Sequence, residues 1–161
     1  MLENVNWAAI QGLASVAGAI GVVISIIFLI YEVRHNADAI EGATVQSLMS
    51  LEREVFALLA KNAELMIKGG AASVSLSEVE FYQYERGVGT YMSLVYSAYI
   101  QHKRDLIEDE VWEAYLNALE RHMTAPGFAQ AWRRICVGYP QSFQDLIRKR
   151  FPQTPMLDKT V

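Results

Sequence analysis

Two hydrophobic patterns follow one another along the chain. From Gly12 to Tyr31 only Ser15 and Ser25 interrupt an apolar run, and the 28 residues between Glu3 and Glu32 hold none that is charged at neutral pH. Twenty helical residues at about 1.5 Å each cover roughly 30 Å, the thickness of a bilayer's hydrocarbon core. The run therefore predicts one membrane-spanning helix over about residues 7–31. A cleaved signal peptide needs a basic leading region, whereas the first basic residue here is Arg34, beyond the run. The second pattern is periodic. Val33, Ala37, Ile40, Thr44, Leu48, Leu51, Val55 and Leu59 recur by threes and fours, with no proline before Pro126, so the helix is expected to continue as an amphipathic one to about residue 60. Gly42 is its weak point, and a kink is expected near Asn36 or Gly42.

Further along, Asn62 stands as the cap of a short helix through Glu64 to Ile67 that ends at Gly69-Gly70, leaving residues 69–76 as a loop. Ser77 and Glu80 have capping-box spacing and open a major helix with the buried stripe Phe81, Tyr84, Val88, Tyr91, Val95, Ala98 and His102. Gly87 and Gly89 within it predict the close approach of another backbone. A third helix runs from Glu108 to Met123 on the stripe Trp112, Tyr115, Leu119 and His122, its acidic first turn suited to the helix dipole. The turn Ala125-Pro126-Gly127 ends it. A shorter helix through Phe128, Trp132, Ile135 and Cys136 follows, and Tyr139-Pro140 starts a last one with Phe143, Leu146, Ile147 and Phe151. No stretch alternates with period two. The fold class read from these patterns is all-α: an anchor over residues 1–34, a helical cytoplasmic domain over 35–151 and, after Pro152, an irregular tail over 152–161.

At 161 residues the chain has room for one ordinary domain with an appendage, and 52% hydrophobic against 20% charged residues is too apolar for disorder. Net charge is −4, which gives no basis for nucleic-acid binding. A single cysteine, Cys136, allows no intramolecular disulfide and no thiolate zinc site, and its apolar neighbours make it an inert, buried thiol. The chain has no phosphate-binding glycine loop, nucleophile elbow or HExxH motif. Glu32 and His35 read as an interfacial charge pair, and His102 and His122 as edge histidines without a partnered nucleophile. The reading is accordingly of a non-enzyme without metal or cofactor. Residues 105–120 carry six acids and no base, whereas 133–150 carry Arg133, Arg134, Arg148, Lys149 and Arg150 against Asp145 alone. Either run taken alone reads as a solvated helix face; the two regions are also suited to pair within a bundle or between copies, and the basic end equally to lie against anionic headgroups or an acidic partner.

Inside the apolar run Ala14, Gly18, Gly21 and Ser25 are spaced by four, three and four, which places them on one helical face with Trp7 and Gln11. Ile20, Val23, Ile24, Ile26, Ile27 and Leu29 occupy the other faces. Lipid offers no hydrophobic drive between helices, so close backbone approach over small residues is a main source of association there. The four residues read as a helix-packing face. Trp7 and Tyr31 lie where interfacial aromatics belong, and Arg34 with the later Arg53, Lys61 and Lys68 places the C-terminal part in the cytoplasm and the N-terminus outside.

Several of these residues carry a likeness of layout. Asn6-Trp7 through Gly18-Ala19-Ile20, Val22-Val23, Ser25 and the exit Tyr31-Glu32-Val33-Arg34-His35-Asn36 resemble the opening of a broad set of uncharacterised small bacterial membrane proteins. Phe81 to Arg86, Trp112 after its acidic turn, and Pro126-Gly127 followed by Trp132 extend the likeness over most of the chain. The resemblance implies an anchor in the bacterial inner membrane with a helical domain and supplies no activity. The function expected is that of a scaffold or accessory subunit, touching lipid and associating with itself or with a larger membrane complex. A homo-oligomeric pore with Gln11, Ser15 and Ser25 facing water is the rival. A small-ligand sensor needs a cavity reached by Tyr84, Tyr91 or His102.

Overall fold

A computed structural model of the chain describes residues 7–71 and 75–152. Regular structure among the described residues is entirely helical, which establishes the all-α class. The helices are α1 (Trp7–Lys61), α2 (Ala63–Ala71), α3 (Glu78–His102), α4 (Asp109–Met123), α5 (Pro126–Ile135) and α6 (Gln141–Arg150), with a 3-10 turn at Cys136–Gly138. The chain forms two compact units divided between Gly42 and Ala43, and α1 contributes to both. Of the expected tail, residues 153–161 lie outside the described residues.

In the first unit one helix is long and apolar enough to cross a membrane. Every residue from Ile10 to Ile40 is exposed, so no other part of the chain covers the apolar run. Asn36 and Gly42 are both helical, and α1 ends within one residue of the position that the periodicity indicates.

The second unit is built around α3. Its N-terminus is closed by the capping box: the Glu80 amide donates to Ser77 Oγ at 3.3 Å, and the Ser77 amide donates to Glu80 Oε2 at 2.9 Å. The helix buries Tyr84, Val88, Tyr91, Met92, Leu94, Val95, Ala98 and Tyr99, more of its circumference than the single stripe read from the sequence. A helix apolar on several sides is one surrounded by others. Helices α2, α4 and α5 pack on it, and Leu48 and Val55 of α1 join the same core with Trp112, Leu116, Leu119, Phe128, Trp132, Phe143 and Ile147.

Several local expectations change. Helix α2 runs through Gly69 and Gly70 to Ala71, three residues into the segment expected to be loop. Burial explains it: Gly69 lies under the Tyr84 ring, and a Cβ on Gly127 of α5 would fall inside the Gly69 carbonyl. The glycines serve a close helix crossing, not a stop. The Asn62 side chain does not cap α2 but donates back to the Leu58 carbonyl at 2.9 Å. Gly87 and Gly89 meet side chains, Met66 and Leu59 at the first and Ile135 at the second, where another backbone was expected. In α4 the buried face is Trp112, Leu116, Leu119 and Met123, with Tyr115 half-buried and His122 exposed. Pro126 and Gly127 form the first turn of α5, because proline's fixed φ and missing N–H suit the first helical position.

Candidate functional site

The face expected to pack against another helix lies wholly in the first unit. Ala14, Gly18, Gly21 and Ser25 are exposed, and the space where a Cβ would stand on Gly18 or Gly21 is empty to 4 Å. Ser25 Oγ donates to the Gly21 carbonyl at 2.8 Å, so its proton is used within the helix. What remains is a shallow strip of backbone between ridges of Ile and Val. Trp7 and Tyr31, 74% and 65% exposed, stand at its two ends. Their 24-residue separation corresponds to about 36 Å of helix. Arg34 is exposed just beyond Tyr31. The Tyr31 ring stacks on His35 at 6.3 Å and 7°, and no ion pair joins Glu32 to His35 among the described residues, so the charge pair read from the sequence gives way to an aromatic stack.

In the second unit the sequence reading missed a charged contact between α3 and α5. Glu85 is the one buried charged residue among those described, at 9% exposure. Its Oε1 accepts from Arg86 at 3.1 Å, and Arg134 Nε approaches Oε2 to 2.9 Å without hydrogen-bond alignment. Each guanidinium also lies over a ring, Arg86 over Tyr82 at 5.4 Å and Arg134 over Phe81 at 4.9 Å. The signal was present: Phe81, Glu85, Val88 and Met92 follow one another by four, three and four, so an acid stands on an apolar stripe. Of the acidic and basic runs, Arg150 of α6 reaches Glu113 of α4 at 3.0 Å, whereas Arg148 pairs locally with Asp145 at 2.8 Å.

A second missed feature is an apolar slot of about 340 Å³ where α1, α2, α3 and α5 meet around Phe56, Met66, Tyr84, Tyr91 and Phe128, with His122 at its edge. The His122 ring lies 4.4 Å from Tyr91 and 5.5 Å from Phe128, centroid to centroid. Although part of His122 meets solvent, desolvation against these rings, helped by the Arg121 charge, lowers its pKa. Burial pushes the hydroxyls of Tyr84 and Tyr91 up to about 12. Of the tyrosines and histidine named as cavity markers, Tyr84 and Tyr91 reach the slot. His102 lies elsewhere, 2.8 Å from Asp109 and stacked on Trp112 at 5.6 Å.

Cys136 is buried and its thiol pKa is raised by desolvation, which disfavours the nucleophilic thiolate. Among the described residues no three His, Cys, Asp or Glu side chains are grouped to hold a metal ion. No known family model, characterised protein or solved structure matches the chain.

Proposed function

We propose that the protein is a single-span membrane-anchored scaffold or accessory subunit that works by helix-helix association through the Ala14, Gly18, Gly21 and Ser25 face. The observation that carries this reading is the uncovered first unit. Eleven large apolar side chains between Leu13 and Ile30 are at least half exposed. At about 1.5–3 kcal/mol each, leaving them in water costs on the order of 20 kcal/mol, more than a small domain's whole stability. Lipid removes that cost along most of the circumference. Along the glycine strip the acyl chains lose contact with side chains that are absent, and a second helix fills the gap better. The reading places the span in a bacterial inner membrane, N-terminus outside and helical unit in the cytoplasm, with Trp7, Tyr31 and Arg34 at the interfaces.

Spending the Ser25 proton on Gly21 favours association over a water-lined pore, which would gain from a free hydroxyl. Gentle extraction from the native membrane, followed by mass measurement of the particle, tests the proposal. Replacing Gly18 and Gly21 together by leucine is expected to shift the particle to monomer or strip its co-purifying partner. An unchanged particle refutes the packing face.

A further inference from the structure

We propose that the slot beside His122 binds a small neutral aromatic molecule, of one or two fused rings with a single polar edge. The inference does not depend on how the apolar part of α1 associates. Size is the first argument: about 340 Å³ lies at the lower end of the range for small-molecule sites, where a bicyclic ring fits and a nucleotide does not. The second is the geometry of the walls. Phe56 and Tyr91 are stacked at 6.4 Å and 24°, while Phe128 meets Tyr91 edge-on at 6.0 Å and 80°. The walls are thus aromatic rings already set against one another in the stacked and edge-on arrangements that aromatic pairs favour, and a flat guest extends the same cluster. Met66 adds a polarisable, unbranched side chain that adjusts to the guest.

Neutrality follows from what is missing. Among the described lining residues His122 and the two tyrosines alone carry an ionisable group; burial holds the tyrosines neutral, and contact with the rings and the nearby Arg121 charge lower the pKa of the exposed His122. A charged guest would lose its hydration where no Asp, Glu, Lys or Arg stands among the described lining residues. His122 instead offers one hydrogen bond, from or to an imidazole nitrogen, at the edge of the slot. The slot stays open because Gly70 and Ala125 line it with almost no side chain; a Cβ on Gly70 would already lie 4.0 Å from the Tyr84 hydroxyl.

The test uses the full chain in lipid nanodiscs with 5-fluoroindole as probe, read by fluorine NMR and by the ring-proton shifts of carbon-labelled histidine. The expected result is a saturable probe shift together with movement of the His122 resonance. Ala125→Leu, which fills the slot, weakens binding about tenfold or more. Ile67→Asp, at a rim position that is 74% exposed and so tolerant of substitution, does the same without altering the fold. Ala118→Leu, in a separate groove beside Tyr115, leaves binding intact. A probe shift that grows linearly with concentration, or one equal in the wild type and Ile67→Asp, overturns the site. Equal affinity for a fluoroindole carboxylate overturns its preference for neutral guests.

Discussion

At Gly127 a single hydrogen atom separates α5 from the backbone of α2, and this is the tightest steric demand that the structure places on any glycine. An added methyl would meet the Gly69 carbonyl, which belongs to a helix and cannot swing aside. Gly127→Ala is therefore expected to cost about 1–3 kcal/mol as the two helices are forced apart. Gly42→Ala, with nothing within 4 Å, should instead gain roughly 0.5–1 kcal/mol of helix propensity. Urea titration followed by helical circular dichroism separates the two, and equal midpoints would dissolve the crossing argument. His122 carries a pH effect of definite sign. Its folded pKa is lowered, chiefly by desolvation, so the unfolded chain takes up the proton first as pH falls through about 6.5. Stability from this group is present above that value and is lost below it. Between pH 7.5 and 5.5 the wild type should lose more stability than His122→Gln, and parallel curves for the two would contradict the assignment.

The elements differ in how legibly the sequence announces them, and the difference tracks whether the cause is local. Helix α3 starts where Ser77 and Glu80 say it should because the capping box is made from residues three apart. Ser77→Ala removes the Oγ that accepts the Glu80 amide and should lower stability by about 1 kcal/mol, with Ser77→Asp retaining most of it. A thermal melt of the three proteins checks the order. The length of α1 was equally legible, since an unbroken apolar run passing into a three-four repeat needs no partner to be recognised. Helix α2 was not. Its Gly69-Gly70 pair reads as a terminator unless one knows that Tyr84 and Gly127, from two other helices, press on it. The same reason hid the slot. Phe56, Tyr91 and Phe128 come from three separate helices, and only their packing shows that the volume between them is unfilled. Glu85 was half legible: its place on an apolar stripe marks it as unusual, but Arg134, the partner that makes its burial tolerable, is 49 residues away.

At the scale of the whole molecule, burial is confined to one of the two units. From Ile10 to Ile40 no described residue is buried, while the core runs from Leu48 to Phe151. A chain beginning at Ala43 therefore keeps every buried side chain and loses the segment whose solvent is proposed to be lipid together with residues 35–42, none of which is buried. Its first turn will fray, because helix ends are cheap to melt and Val45 is only half-buried, but Leu48, Leu51, Val55 and Leu59 still have the core to pack against. The shortened chain is expected to be helical in plain buffer and to melt cooperatively within a few degrees of the full chain in nanodiscs. Its oligomeric state then locates the assembly interface. If association resides in the small-residue face, sedimentation finds the shortened chain monomeric at concentrations where the full chain self-assembles or holds its partner. A stable dimer of the shortened chain would move the interface into the helical unit, where Glu110, Tyr115 and the neighbouring groove with Met49 would become the surface to mutate next.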